Sequence, residues 1–254
     1  MSDTWNELAE LIEGARAGGY LLDARTPAEM PQDVADCYAV QERAIALSGI
    51  TPRAWKLGAP ALAGQAAMGL AEPFSGPVLP DMLLASPAEI ATSEFSCHKF
   101  EPEIAITLGR DIDGPISVEE AREAIASYHL AIEILNFRTK DGFSLGAKGM
   151  IADLGANGAL VLGAAVPAGA YEYAALTLDV RINGQSVAGR NPPPPETDPA
   201  VLLAWFSGHA AARGLSLPAG TVITTGSQAG VLPFAPGDLI EVDFGAAGIA
   251  AVQC

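Results

Sequence analysis

The run Leu130-Ala131-Ile132-Glu133-Ile134-Leu135 constrains this chain more than any other segment. Its apolar residues fall on both sides of the pleat, so as a strand it must be covered on both faces. A lone carboxylate in such a strand is very unfavourable unless something compensates it. Glu133 must therefore be protonated, pair with a base such as Arg138, or bind a cation. The first expectation is a layered fold with a charged group inside it.

The remaining residues fit such layers. Half of the 254 residues are hydrophobic and 17% are charged, which supports a sizeable core and excludes intrinsic disorder. Leu8, Leu11, Ile12 and Ala15 recur at helical spacing until Gly18-Gly19 interrupts them. A second helix is expected after Pro31, through Val34, Tyr38, Gln41 and Ile45, ending near Ser48-Gly49. Beyond Pro52, short apolar runs bounded by Gly and Pro predict strands over 103–108, 129–135, 159–162, 176–182, 221–225, 239–244 and 249–252. Asn183-Gly184 marks a hairpin turn. Two helices interrupt this pattern, over 117–127 with Ser117 and Glu120 as a capping box, and over 199–213. Asn191-Pro192-Pro193-Pro194-Pro195-Glu196 reads as an extended surface loop. The reading is α+β: a helical N-terminal portion over 1–55 and a β-rich body over 56–254.

Charge narrows the partners. A net charge of −16 repels phosphate backbones and argues against nucleic acid. Every apolar run stops well short of the roughly 20 residues needed to span a bilayer, so no membrane partner is expected. The segment Met1-Ser2-Asp3-Thr4-Trp5-Asn6-Glu7 lacks the basic and apolar regions of a signal peptide. Cys37, Cys97 and Cys254 show neither disulfide nor C-x-x-C spacing, and a cytoplasmic location is expected.

Three features carry chemistry. Glu101 and Glu103 flank Pro102 at the head of a strand, on one face and roughly 7 Å apart along it. With Glu133 on a neighbouring strand, three carboxylates would repel one another unless a divalent ion neutralised them, and oxygen-only ligation favours Mg²⁺ or Mn²⁺. Lys56 lies among apolar residues in Ala54-Trp55-Lys56-Leu57-Gly58. It either snorkels to water or holds an anion and exchanges a proton from a partly buried position. The run Thr224-Thr225-Gly226-Ser227-Gln228-Ala229-Gly230 follows an apolar strand, and its backbone N–H groups could cradle an anion or simply make a tight turn. His98, His129 and His209 lack H-E-x-x-H spacing and read as structural, and Cys97 reads as a filler. No G-x-G-x-x-G loop is present.

In this order the residues resemble the 2-keto-4-pentenoate (2-hydroxypenta-2,4-dienoate) hydratases of the fumarylacetoacetate hydrolase superfamily. The resemblance runs through Trp55-Lys56-Leu57-Gly58, Gln65, Met68-Gly69-Leu70, Glu72-Pro73-Phe74 and Asp81-Met82. It continues through Glu101-Pro102-Glu103-Ile104-Ala105, Ala131-Ile132-Glu133-Ile134, Asp153, Gly158, Val161-Leu162-Gly163, Thr225-Gly226-Ser227 and Pro236-Gly237-Asp238. It implies a mixed β-sandwich or roll, a Mg²⁺ or Mn²⁺ ion on Glu101, Glu103 and Glu133, a small 2-oxo acid substrate and a homo-oligomer. The activity implied is a metal-dependent hydro-lyase of aromatic catabolism, adding water to a 2-hydroxy-2,4-dienoate to give a 4-hydroxy-2-oxo acid. Lys56 and Asp81 would move protons; Thr225, Gly226, Ser227 and Leu57 would bind substrate.

Two segments depart from the family pattern, and both are expected beside the substrate. Pro195-Glu196-Thr197-Asp198-Pro199 stands in place of a Gly-His-Pro stretch, and Leu154-Gly155-Ala156-Asn157 in place of small hydroxyl residues. The closest alternative is a 2-oxo-enedioate decarboxylase of the 4-oxalocrotonate type using the same metal. An acylpyruvate C–C hydrolase would need a water-activating histidine upstream of the metal strand, where only His98 is available. A non-catalytic partner protein would have no reason to keep such costly buried charge.

Overall fold

Helix α1 (Asp3–Gly18) buries one stripe, Leu8, Ala9, Ile12 and Ala15, as its spacing predicts. Helix α2 (Val34–Ser48) lies against it and buries Cys37, Tyr38, Val40, Gln41 and Ala44. These are the first elements of a computed structural model that describes residues 3–170, 173–190 and 197–254. The expected Asn191–Glu196 loop lies outside the described residues.

The chain then alternates short strands with turns. In order come β1 (Ala54–Gly58), α3 (Leu62–Met68), β2 (Phe74–Val78), β3 (Leu83–Ala85), β4 (Ala88–Glu89) and β5 (Lys99–Leu108). Next are α4 (Val118–Ala124), β6 (Ile125–Leu135), α5 (Gly146–Ala152), β7 (Asn157–Leu162), β8 (Val166–Pro167), β9 (Leu178–Ile182) and β10 (Gln185–Arg190). Helix α6 (Pro199–Ala212) precedes β11 (Val222–Ser227), β12 (Leu232–Pro233), β13 (Leu239–Asp243) and β14 (Ile249–Gln253). Strand β1 crosses the expected domain boundary at 55/56.

Two sheets form. The larger runs β2-β1-β11-β5-β6-β7-β3, with β12 also on β5 and β8 on β6; the smaller runs β10-β9-β13-β14-β4. This α+β architecture of two sheets with helices agrees with the expected sandwich or roll. Asn183 (φ 53°) and Gly184 (φ 77°) turn the β9–β10 hairpin in the left-handed region, as an Asn-Gly pair can.

Alternation along the central strands sorts residues between two cores. Phe100, Ile104, Ile106, Leu130, Ile132 and Ile134 face the smaller sheet and α6, packing with Val180, Ile240, Val242 and Phe206. Ala105, Ala131, Leu160, Ala54 and Val222 face the other way, into the curl of the larger sheet, with Val78, Leu79 and Met82. Glu101, Glu103 and Glu133 are in phase with this second set, which puts the carboxylates inside the curl.

Two sequence expectations need correction. The helix predicted over 117–127 ends at Ala124, because Ile125 to Ser127 pair with β5 (Leu108↔Ile125, Thr107↔Ser127) and the ladder captures them. The strand predicted to begin at Glu103 begins at Lys99 and carries Pro102 in its interior. Pro102 is tolerated because its carbonyl, and so its donor-less nitrogen, faces β11 where that ladder breaks between Thr224 and Ser227.

Candidate metal centre

The registers explain why three glutamates meet. Glu101 on β5 lies directly opposite Glu133 on β6, and Glu103 follows two residues along the same face. One oxygen from each carboxylate lies within 4.8 Å of the other two. Glu103 and Glu133 are fully buried, and Glu101 is partly buried at the open side.

Lys56 completes the cluster. In a flat sheet β1 and β6 would be separated by about 14 Å, three strand spacings. Curling brings the Lys56 Nζ to 3.4 Å from Glu133 Oε2. The ammonium is only 3% exposed, so it does not snorkel, and it sits 5.1 Å from the centre of the Phe74 ring. A close backbone crossing guides its stem. A Cβ on Gly76 would stand 2.7 Å from Gly155 Cα, and one on Gly155 would stand 3.2 Å from Lys56 Cδ.

The other oxygen of Glu133, Oε1, accepts a hydrogen bond of 3.0 Å from Asn157 Nδ2. Arg138 is not the partner of Glu133. Its guanidinium pairs with Asp153 at 3.4 Å and donates to the carbonyls of Asn136 and Asn157, each at 2.6 Å, while its backbone N–H donates to Asp153 Oδ2. The Asp153–Arg138 pair thus fastens the loop leading into β7, and Asn157 on that loop holds Glu133.

Electrostatics follow from this crowding. Burial, together with the charge of Glu133 and against that of Lys56, pushes the Glu101 carboxyl up to about 7. Burial and the neighbouring Glu133 and Glu101 push Glu103 well above the carboxylate range. Burial pulls the Lys56 ammonium down, but the three carboxylates outweigh it and its pKa ends raised. Fully ionised, three carboxylates and one ammonium carry two uncompensated negative charges, which a divalent cation would cancel. Glu103 Oε1 is buried with no hydrogen-bond partner, an acceptor that a cation would satisfy. The donor set fits a hard divalent ion.

The remaining expected site residues are placed as follows. Gly226 N–H donates to Glu103 Oε2 at 3.1 Å, so the Gly-containing turn holds a ligand carboxylate of the protein itself. Thr225 Oγ1 donates to the Ile104 carbonyl, and Ser227 Oγ donates to the Gly230 carbonyl. Leu57 is fully buried in the core between the sheets, so its side chain faces away from Lys56. Asp81 sits on the turn Pro80–Met82 with its side chain 59% exposed, paired with Arg16 of α1 at 3.3 Å. There it lines a cavity of about 480 Å³ with Arg16, Tyr20 and Asn136. No ion pair joins it to Lys56 among the described residues.

The three histidines are engaged in packing. His98 stacks on Phe234, and His129 bridges Thr107, Ser127 and the Gly163 carbonyl. His209 lies against Tyr38, Ser75 and Arg213, and burial with the Arg213 charge pulls it down to about 4. Sequence reasoning gave Asn157, Phe74 and the Gly76–Gly155 crossing no role at the carboxylate cluster. Only Asn157, a polar residue opening an apolar strand, left a local signal.

Known proteins resemble this chain in sequence and fold. Residues 66–254 match the family described as Fumarylacetoacetate (FAA) hydrolase C-terminal. The chain is 29% identical over 244 residues to the TodF product hydratase of Pseudomonas putida, covering 91% of this chain and 88% of that protein. It is 26% identical over 182 residues to a 4-oxalocrotonate decarboxylase of a Pseudomonas species, covering 72% and 70%. In three dimensions it overlays the 4-oxalocrotonate decarboxylase of Pseudomonas putida G7, complexed with magnesium and adipate. That overlay has a TM-score of 0.87 at 24% identity, over 100% of this chain and 98% of the other. The family match takes in most of the chain, including all three glutamates of the buried cluster, and the chain belongs to the fumarylacetoacetate hydrolase family.

Proposed function

We propose that the protein is a divalent-metal-dependent hydratase that adds water to a 2-hydroxy-2,4-dienoate, giving a 4-hydroxy-2-oxo acid. The observation that carries this reading is the buried Glu101–Glu103–Glu133 trio with the Lys56 ammonium against Glu133. A hydratase relative covering nine-tenths of the chain supports the activity class. Mg²⁺ or Mn²⁺ suits the all-oxygen donor set. When bound, the ion would supply positive charge beside the substrate's carboxylate and C2 oxygen, stabilising negative charge that develops there.

The chain's own residues do the rest. Glu101, Glu103 and Glu133 would hold the ion inside the curl, and Asn157 and Gly226 hold two of these carboxylates in place. Lys56 Nζ, beside Glu133, would hold or move a proton at the C2 oxygen. Loss of the C2 hydroxyl proton with proton gain at C5 converts the dienol to a 2-oxo-3-ene. Water then adds at C4, and a proton at C3 completes the 2-oxo acid. Ser227, partly exposed at the head of its turn, is the member of the expected substrate set left to meet the substrate carboxylate. Asp81, paired with Arg16, takes no part in these proton transfers. The acid-rich cytoplasmic enzyme would work as a homo-oligomer on a small 2-oxo acid, without nucleic acid or membrane. No described helix is long and apolar enough to cross a bilayer.

Decarboxylation of a 2-oxo-enedioate is the second reading, favoured by the decarboxylase relative. The same centre would hold the electron pair left on the substrate when CO₂ departs. Mass analysis separates the two after incubation with Mg²⁺ and either 2-hydroxypenta-2,4-dienoate or 4-oxalocrotonate. Gain of one water supports the hydratase, loss of CO₂ the decarboxylase, and no change with either substrate contradicts both.

A further inference from the structure

We propose that Asn157 is a positioning residue for the metal centre: its amide decides which oxygen of Glu133 faces the ion and offers an acceptor to a water bound there. The inference rests on the metal-dependent reading above and concerns how this chain builds that centre. Asn157 is fully buried at the first position of β7. Its Nδ2 donates to Glu133 Oε1 at 3.0 Å, while Lys56 stands 3.4 Å from Glu133 Oε2. The two oxygens of this carboxylate are thereby distinguished. Oε1 accepts from a neutral amide, and Oε2 faces the Lys56 ammonium.

The other end of the amide is unspent. Asn157 Oδ1 is buried and has no hydrogen-bond partner. A buried acceptor without a donor is unfavourable, and few persist in folded proteins without a function. A hydrated divalent ion brings donors of the required kind, because Mg²⁺ usually keeps several of its waters.

The surroundings hold Asn157 rigidly. Its carbonyl accepts from Arg138 Nη2 at 2.6 Å. The preceding residues Leu154, Gly155 and Ala156 all have positive φ, at 51°, 72° and 56°. Two of them are not glycine, and such strained backbone persists only where surrounding structure over-determines it. The Arg138–Asp153 pair supplies that determination at the other end of the loop. The loop is thus a bracket whose one inward-reaching amide touches the carboxylate cluster.

The test is Mn²⁺ titration of the full-length protein, following the electron paramagnetic resonance signal of the ion left free in solution. The variants are Asn157→Leu, Asn157→Ser and, as a control, Val161→Ala in the core between the sheets. Removing an outer partner of a ligand typically weakens metal binding roughly 10- to 100-fold. Asn157→Leu is expected to show such a loss, Asn157→Ser a smaller one because its hydroxyl can still donate to Glu133, and Val161→Ala none despite a lower Tm. Should Asn157→Leu fail to fold, the serine variant decides. Wild-type affinity in the asparagine variants would overturn the inference while leaving the metal reading intact. Absence of Mn²⁺ binding to the wild type would overturn both.

Discussion

Lys56 Nζ and Glu133 Oε2 are 3.4 Å apart although their strands are separated by β11 and β5 in the sheet. The pair exists only because the sheet curls, and it ties β1 to β6 across the two strands between them. Two glutamates beside it make it more than a structural ion pair. One ammonium among three carboxylates leaves negative charge that folding alone does not compensate.

Lys56→Met separates the two roles of this lysine. Turnover should fall by roughly 10²- to 10⁴-fold if the ammonium handles a proton. Affinity for Mg²⁺ or Mn²⁺ should rise, because a competing positive charge has left the cluster. Steady-state kinetics and calorimetric metal titration on the same variant check both directions; loss of metal binding would argue that Lys56 only supports the fold.

Glu103→Gln should abolish metal-dependent turnover and remove the stabilisation that Mg²⁺ confers on the wild type. The metal-free variant should melt at the wild-type temperature or above it, since the glutamine is neutral without taking up a proton on burial. Thermal melts with and without Mg²⁺ read the result. Full activity in this variant would refute the ligand assignment.

Stability of the metal-free protein should decline as pH rises. Glu101 titrates near 7 in the folded chain against an ordinary value of 4.5, so the folded state binds more protons across that window. Its contribution is fully present below about 4.5 and is lost as pH rises through about 7. Bound Mg²⁺ competes with those protons, so apparent metal affinity should increase over the same range. Melts in a chelator and in Mg²⁺ from about pH 5 to about pH 8 should therefore slope in opposite senses.

Gly76→Ala tests the backbone crossing that guides Lys56. The new Cβ would lie 2.7 Å from Gly155 Cα and 2.8 Å from the Leu154 carbonyl, and neither backbone atom can yield cheaply. Destabilisation of about 1–3 kcal/mol is expected, as for overpacking elsewhere. A fall in kcat out of proportion to the loss in Tm is expected with it, because the Lys56 stem runs beside the same crossing.

The sequence made the floor of the site readable for a plain reason. Alternation places Glu101 and Glu103 on one face, and the doubly apolar run around Glu133 declares that the third carboxylate is buried. What it left ambiguous were contacts between segments distant in the chain. Arg138 is close to Glu133 in sequence and is one candidate partner for it, yet the turn after β6 points it to Asp153. Lys56 and Asn157 reach Glu133 through sheet curvature and a loop of positive φ, neither of which has a local periodicity. The helix expected through Ser127 ended early for a related reason: pairing with β5 outweighed local helical preference. Leu57 shows the limit of motif reading, since it adjoins Lys56 in sequence but alternation turns its side chain into the opposite core.

The most direct test is crystallographic. Crystals grown with Mn²⁺ and examined by anomalous scattering should show one strong peak within bonding distance of carboxylate oxygens from Glu101, Glu103 and Glu133 together. A cluster without a peak, with Mn²⁺ bound at other side chains or not at all, would contradict the account.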